Sequence, residues 1–223
     1  IIGTPSGVSL APEGGAHQSI GTPLIGISQP GLLSFEPAFA DELALIMNYG
    51  FNYLQDEAGG SIYLRLTTRS IDQPMREIDN ELKNNIIKGG YWLKKPGPNP
   101  EVIIVYQGAV AIEAIESTAL LGEKFKNSGV LSITSSDKLF HEWKNQNSTS
   151  HIELLLECVP RDTRIITVID GHPMTLSWIG SINGHKTIPL GVSSFGQTGK
   201  VEDLFKEFTI DSQSISNLGF SFN

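Results

Sequence analysis

The stretch LAPEGGAHQSIGTP, residues 10–23, gathers a carboxylate, a histidine and an amide on a glycine-rich loop. Glycines let such a loop bring backbone and imidazole close to a ligand, and the imidazole of His17 can donate or relay a proton near neutral pH. The other histidines are His141, His151, His172 and His185, and no two of the five have the HxxxH spacing of a zinc pair. Pattern places His141 at the surface of an amphipathic helix, His151 near a helix start and His185 in a solvated Asn-Gly-His turn. His172, in IDGHPM, stands at a strand end before a helix. The single cysteine, Cys158, excludes an internal disulfide and a Cys-based zinc site, and its apolar stretch HIELLLECV predicts a buried, inert thiol. No base neighbours Cys158 in sequence and no Gly-x-Ser-x-Gly elbow occurs, so nucleophilic hydrolysis finds no support.

A second chemical candidate is GVSSFGQTGKVE, residues 191–202. Its Gly199-Lys200 ending resembles a nucleotide phosphate loop, which needs a glycine where Ser194 stands and a hydroxyl where Val201 stands. Both requirements fail. The turn reads instead as a strand-to-helix connection, tight because of its glycines, with a helix N-terminus that attracts anions.

The elements that must position these loops follow from periodicity. Residues 39–54 carry an apolar face at helical spacing, and GSIYLRLTTR is a strand of branched and aromatic residues. Residues 75–88 read as a polar helix and KKPGPNP as a linker. From Glu101 onward strands and helices alternate: EVIIVYQG, AVAIEAIESTALLGEKF, GVLSITSS, SSDKLFHEW capped by Ser136 or Asp137, TRIITVID, HPMTLSWIGSIN, TIPLGVS and KVEDLFKEF. Alternation of this kind predicts an α/β fold of mostly parallel sheets flanked by helices, with ligands at the carboxyl ends of the strands. The chain has 223 residues and a net charge of −8 with mixed signs, so no basic stripe marks a nucleic-acid surface. No run reaches the length of a membrane span. The apolar opening IIGTPSGVSL carries no secretory pattern and reads as the middle of a domain, which predicts the C-terminal portion of a longer polypeptide.

These residues bear a resemblance. GTPSGVSLAPEGGAHQSI resembles the segment of transketolase-type thiamine diphosphate enzymes that ends in D-G-P-T-H-Q-P-I. LLSFEPAFADELALIM is similar to the S-Y-D-P-A-Y-x-x-E-x-A-x-I-M block of the homodimeric pyruvate dehydrogenase decarboxylating component. GVLSITSSDKL resembles its S-V-T-S strand, and LGVSSFGQTGKVEDLFKEFTIDSQSI its G-T-D-G-F-G-R-S pattern and final helix. Four blocks in the family's order cover nearly the whole chain.

The resemblance implies the second half of a pyrimidine-binding domain at 1–74, a linker at 75–100 and a transketolase C-terminal domain at 101–223. It gives His17 the catalytic role of stabilising or protonating the substrate-derived intermediate, and Glu13 and Gln18 the role of orienting its oxygens. Arg69 falls where transketolases keep a phosphate-binding arginine, the alternative being a salt-bridged surface residue. Transketolases also carry a histidine where Thr4-Pro5-Ser6 stand here, and its loss argues against a ketose donor. The family's catalytic glutamate and its G-D-G…N magnesium motif are not among these residues, so thiamine diphosphate and Mg belong to the intact enzyme, no metal ligand is assigned here, and the chain alone is expected to be inactive. The implied function is a 2-oxo acid dehydrogenase acting on pyruvate, with transketolase-like ketol transfer or a non-catalytic assembly subunit as alternatives. The implied partners are an N-terminal part of the same polypeptide, a second copy in a homodimer and an acyltransferase component, in the cytoplasm.

Overall fold

Short runs of branched and aromatic residues form two sheets in the computed structural model, which describes residues 1–3, 6–145 and 147–221, with Glu123 described by its backbone alone. Thr4 and Pro5, two of the three residues that stand where the resemblance expects a histidine, lie outside the described residues. In the first sheet β1 (Ile2–Gly3) and β2 (Leu32–Phe35) flank β3 (Ser61–Arg65), all parallel. The short helix α1 (Leu24–Ser28) precedes β2, and α2 (Ala40–Tyr53) connects β2 to β3. Glu42 starts α2 by accepting the Ala38 and Phe39 amides at 2.7 and 3.1 Å, which satisfies donors that the helix leaves open. Ile46 of α2 packs with Phe35, Ile62 and Leu64 of the sheet and with Ile86 and Tyr91 beyond it.

The stretch 75–100 is more ordered than its composition suggests. It holds α3 (Asn80–Lys88) and β4 (Gly90–Lys94). Asp79 caps α3 through the Leu82 amide at 2.7 Å, and Gly89, at φ +116°, ends it in a conformation that disfavours a side chain. β4 then joins the second sheet antiparallel to β6 (Gly129–Ile133), with a register shift between Trp92 and Lys94. Beside β6 run, all parallel, β5 (Val102–Gln107), β7 (Arg164–Ile169) and β8 (Thr187–Leu190), in the order β4-β6-β5-β7-β8.

This sheet is covered on both faces, so its strands read as unbroken apolar runs. Val102, Ile104 and Tyr106 point to one face, where α4 (Ala111–Leu121), α8 (Val201–Glu207) and α9 (Ser212–Ser221) supply Ala114, Phe205 and Ile215. Ile103 and Val105 point to the other, against α5 (Ser136–Asn145), α6 (His151–Leu156) and α7 (Met174–Ser177) through Leu139, Ile152 and Leu176. Each fully buried aliphatic side chain contributes about 1.5–3 kcal/mol relative to exposure. Among the described residues no helix is long and apolar enough to cross a membrane.

Two local expectations are corrected. Cys158 is exposed, because α6 ends at Leu156 and its apolar face does not continue to the thiol. His185 is buried rather than solvated, its Nδ1 lying 3.0 Å from the Thr163 carbonyl oxygen. At the start of α5 the Lys138 amide meets the Asp137 carboxylate at 2.8 Å, in keeping with one of the two expected caps, and the Ser135 hydroxyl at 3.4 Å, while Ser136 shows no such bond. His141 is exposed and His151 opens α6, as their positions in sequence predict.

Candidate functional site

The carboxyl ends of the two sheets meet, and charged residues that close apolar strands are buried between them. Arg65 ends β3 and is 1% exposed. Its guanidinium pairs with Glu36, just after β2, and donates to Thr22 Oγ1 at 3.0 Å, the Ser19 carbonyl at 3.0 Å and the Asp170 carbonyl at 2.7 Å. Gln107, the last residue of β5, donates to the second oxygen of Glu36 at 3.0 Å. Burial holds the Glu36 carboxyl above its usual range, while Arg65 and Gln107 pull it back. Nearby, Asp137 accepts the Ser34 amide at 2.9 Å and Ser135 Oγ donates to the Ser34 carbonyl at 2.6 Å, stitching β2 to the end of β6.

The loop that carries His17 lies on this junction. Ala11–Glu13 form a single 3-10 turn, Gly14 turns the chain at φ +79°, and the His17 amide closes on the Gly14 carbonyl at 3.1 Å. Glu13 and His17 are left exposed, whereas Gln18 is buried. The Gln18 amide group donates to the Gln197 carbonyl at 2.8 Å, so it serves to hold the glycine turn at 195–200. Its Oε1 has no partner among the described residues. That turn approaches the histidine loop closely: the Gly199 amide donates to the Ala11 carbonyl at 3.2 Å, and a Cβ on Gly15 would meet the Gly196 carbonyl and the Phe195 ring. Phe195 itself is 70% exposed beside the loop. The glycines of the turn thus serve close backbone approach to residues 11–18.

His172, half-buried, joins the same junction through its backbone, donating to the Ile20 carbonyl at 2.8 Å. Arg69 stands apart from His17 in its bonding. Both its terminal nitrogens grip Glu113, at 2.8 and 2.6 Å, one also reaches the Ala109 carbonyl at 2.9 Å, and the guanidinium lies 4.9 Å from the centre of the Phe205 ring. Among the described residues no three of His, Cys, Asp and Glu gather as a metal set.

Arg65, Glu36 and Asp170 were not singled out in sequence. The signal was available: each is a lone charge at the end of an apolar strand run, in SIYLR, LLSFE and IITVID.

Comparison with known proteins completes the description. Residues 89–211, more than half of the chain, match the family described as the transketolase-like TK C-terminal domain. Over 225 residues the chain is 27% identical to the pyruvate dehydrogenase E1 component of Buchnera aphidicola subsp. Baizongia pistaciae, an overlap of 96% of this chain and 25% of that protein. It is 24% identical over 216 residues to transketolase 1 of Candida albicans, covering 96% of this chain and 28% of that one. Transketolase from Leishmania mexicana shares the fold at a TM-score of 0.77 and 15% identity, over 98% of this chain and 29% of that structure. The chain spans about a quarter of the length of the curated relatives it matches. On its matched residues and its helix-covered, mostly parallel sheets, the chain belongs to the transketolase C-terminal domain family.

Proposed function

We propose that this chain is the C-terminal portion of a thiamine diphosphate-dependent 2-oxo acid dehydrogenase decarboxylating component that acts on pyruvate. Residues 1–74 are then the latter half of the pyrimidine-binding domain and 101–223 the C-terminal domain. The cofactor supplies the electron sink for decarboxylation and is held, with its magnesium, by the rest of the enzyme. This chain contributes the exposed imidazole of His17, which holds or donates a proton at a substrate oxygen, with Glu13 on the same loop orienting that oxygen.

The observation that carries pyruvate over a sugar phosphate is the state of Arg69. A phosphate-binding arginine offers its forked donors to the ligand. Here the fork is engaged by Glu113 and the Ala109 carbonyl, which suits a short oxo acid whose carboxylate sits beside its carbonyl. Ketol transfer is the second reading, favoured by the likeness to a transketolase over 96% of the chain.

The rest of the enzyme has a place to rest. Ile1, Ile2, Phe51 and Leu54 are exposed by 79, 60, 62 and 53% around a groove of 260 Å³ at the open edge of the three-stranded sheet. The assembled enzyme decides the substrate: turnover of pyruvate that Arg69→Ala leaves nearly unchanged is expected. Turnover of phosphorylated ketoses with a KM that Arg69→Ala raises roughly tenfold or more, the loss of one charge-assisted hydrogen bond, would promote ketol transfer.

A further inference from the structure

Asp170 closes β7, in the second sheet, yet its carboxylate serves the loop of the first. The side chain is fully buried. Oδ1 accepts the Val8 amide at 2.7 Å and Oδ2 accepts the Ser9 amide at 2.9 Å. Among the described residues no salt bridge reaches this carboxylate; the neighbouring Arg65 donates to the Asp170 carbonyl instead. Two consecutive backbone donors therefore satisfy the two buried oxygens, an arrangement that needs both of them as acceptors. The loop is shaped to reach it. Gly7 turns at φ +67°, and a Cβ there would fall on the Asp170 carboxyl group. A serine or asparagine would have closed the strand as well without offering two equivalent acceptors.

The other attachments of the loop complete a clamp. Arg65 holds the Ser19 carbonyl and the Thr22 hydroxyl, and the His172 amide holds the Ile20 carbonyl, so the segment that follows His17 is fixed from the same side. Asp170 fixes the segment that precedes it. His17 sits between the two anchors.

We propose that Asp170 is a positioning residue for His17: through Val8 and Ser9 it sets the path of residues 6–21 from the carboxyl end of β7. The C-terminal domain thereby takes part in building the site. The catalytic consequence rests on the function proposed above; the anchoring does not.

Residue-resolved amide hydrogen exchange on the full 223-residue chain tests the anchoring, beside the variant Asp170→Asn, which keeps the shape and replaces one acceptor by a donor. In the wild type, Val8 and Ser9 should be protected despite lying in a loop. In the variant their exchange and that of residues 14–18 should quicken at least roughly tenfold, the scale of one lost charge-assisted hydrogen bond, with β5 and α4 unchanged. Wild-type Val8 and Ser9 exchanging like free backbone would overturn the proposal, and this reading needs no variant to fold. So would a variant in which every element quickens alike, which marks a merely structural role. In the assembled enzyme Asp170→Asn should lower kcat on pyruvate while KM holds. Unchanged kcat in an active enzyme would refute the positioning of His17, whereas a wild-type enzyme without activity on pyruvate would refute the proposed substrate and leave the exchange result standing.

Discussion

Replacing Arg65 by methionine keeps most of the aliphatic volume and removes the guanidinium from the junction of the two sheets. Glu36, 3% exposed, then loses its cation and keeps only the Gln107 amide group as a side-chain donor, while the Ser19 and Asp170 carbonyls lose a donor each. Removing one partner of a buried pair costs about 3–5 kcal/mol, roughly a fifth or more of the total stability of a typical domain. The double variant Glu36→Gln, Arg65→Met takes away the stranded charge, and should recover a measurable part of the loss. The pH dependence has a definite sign. Burial raises the Glu36 carboxyl above its reference of 4.5, so the folded chain binds the proton more readily than the unfolded one, and stability falls as pH rises from that value through the raised pKa. Loss of Arg65 raises the carboxyl further. The deficit of the single variant should therefore be largest near neutral pH and shrink as pH falls toward 4.5. Urea denaturation of the chain, followed by far-ultraviolet circular dichroism at several pH values, reads all of this. A single-variant loss below about 1 kcal/mol, or a double variant no better than the single, would refute the assignment of Arg65 as the charge partner that holds the junction.

Two further outcomes are expected. His17→Ala should lower turnover of the assembled enzyme on the order of 10²-fold, the usual contribution of an acid–base group, and should leave the melting of the chain unchanged because the side chain is exposed; unaltered turnover would favour a non-catalytic assembly role. His151 is buried with Nε2 2.8 Å from the Gly90 carbonyl oxygen, and burial lowers its pKa from the reference of 6.5. Its contribution to stability is full above 6.5 and is lost as pH falls through the lower folded value, so His151→Gln should flatten the acid limb of the stability curve below 6.5, and an unchanged limb would contradict that.

The strands of the second sheet were legible because a sheet covered on both faces leaves unbroken branched runs, as in VIIVYQ and RIITVI. The helix around Ile46 was legible from its spacing, and four blocks pointed to the family. β4 was not, since pairing as an antiparallel edge strand is a tertiary event that GYWLK beside a proline-rich stretch does not announce. Neither was α1, whose central Gly26 suits close packing on Ser34 and Asp137 rather than helix propensity. Of the site, the histidine loop and the glycine turn were each visible; that they touch was not, because Gln18 and Gln197 meet across the fold. The salt-bridge alternative for Arg69 needed its partner Glu113, which sits on α4, far along the chain, and leaves no local mark.

The edges of the two sheets differ in what they permit. In the five-stranded sheet one edge strand, β4, is broken in register at Trp92 and Lys94, and the other, β8, carries the exposed Pro189, which has no amide hydrogen to offer. Both interruptions discourage a neighbouring chain from adding a strand. The three-stranded sheet is bordered by β1 and β2; at β2 the Ser34 amide and carbonyl are taken by Asp137 and Ser135, whereas β1 has no such guard among the described residues and its Ile2 side chain is 60% exposed. Self-association of the isolated chain by strand pairing is thus expected first at the β1 border, and a lysine or proline at Ile2 is the substitution that should keep concentrated solutions of it clear.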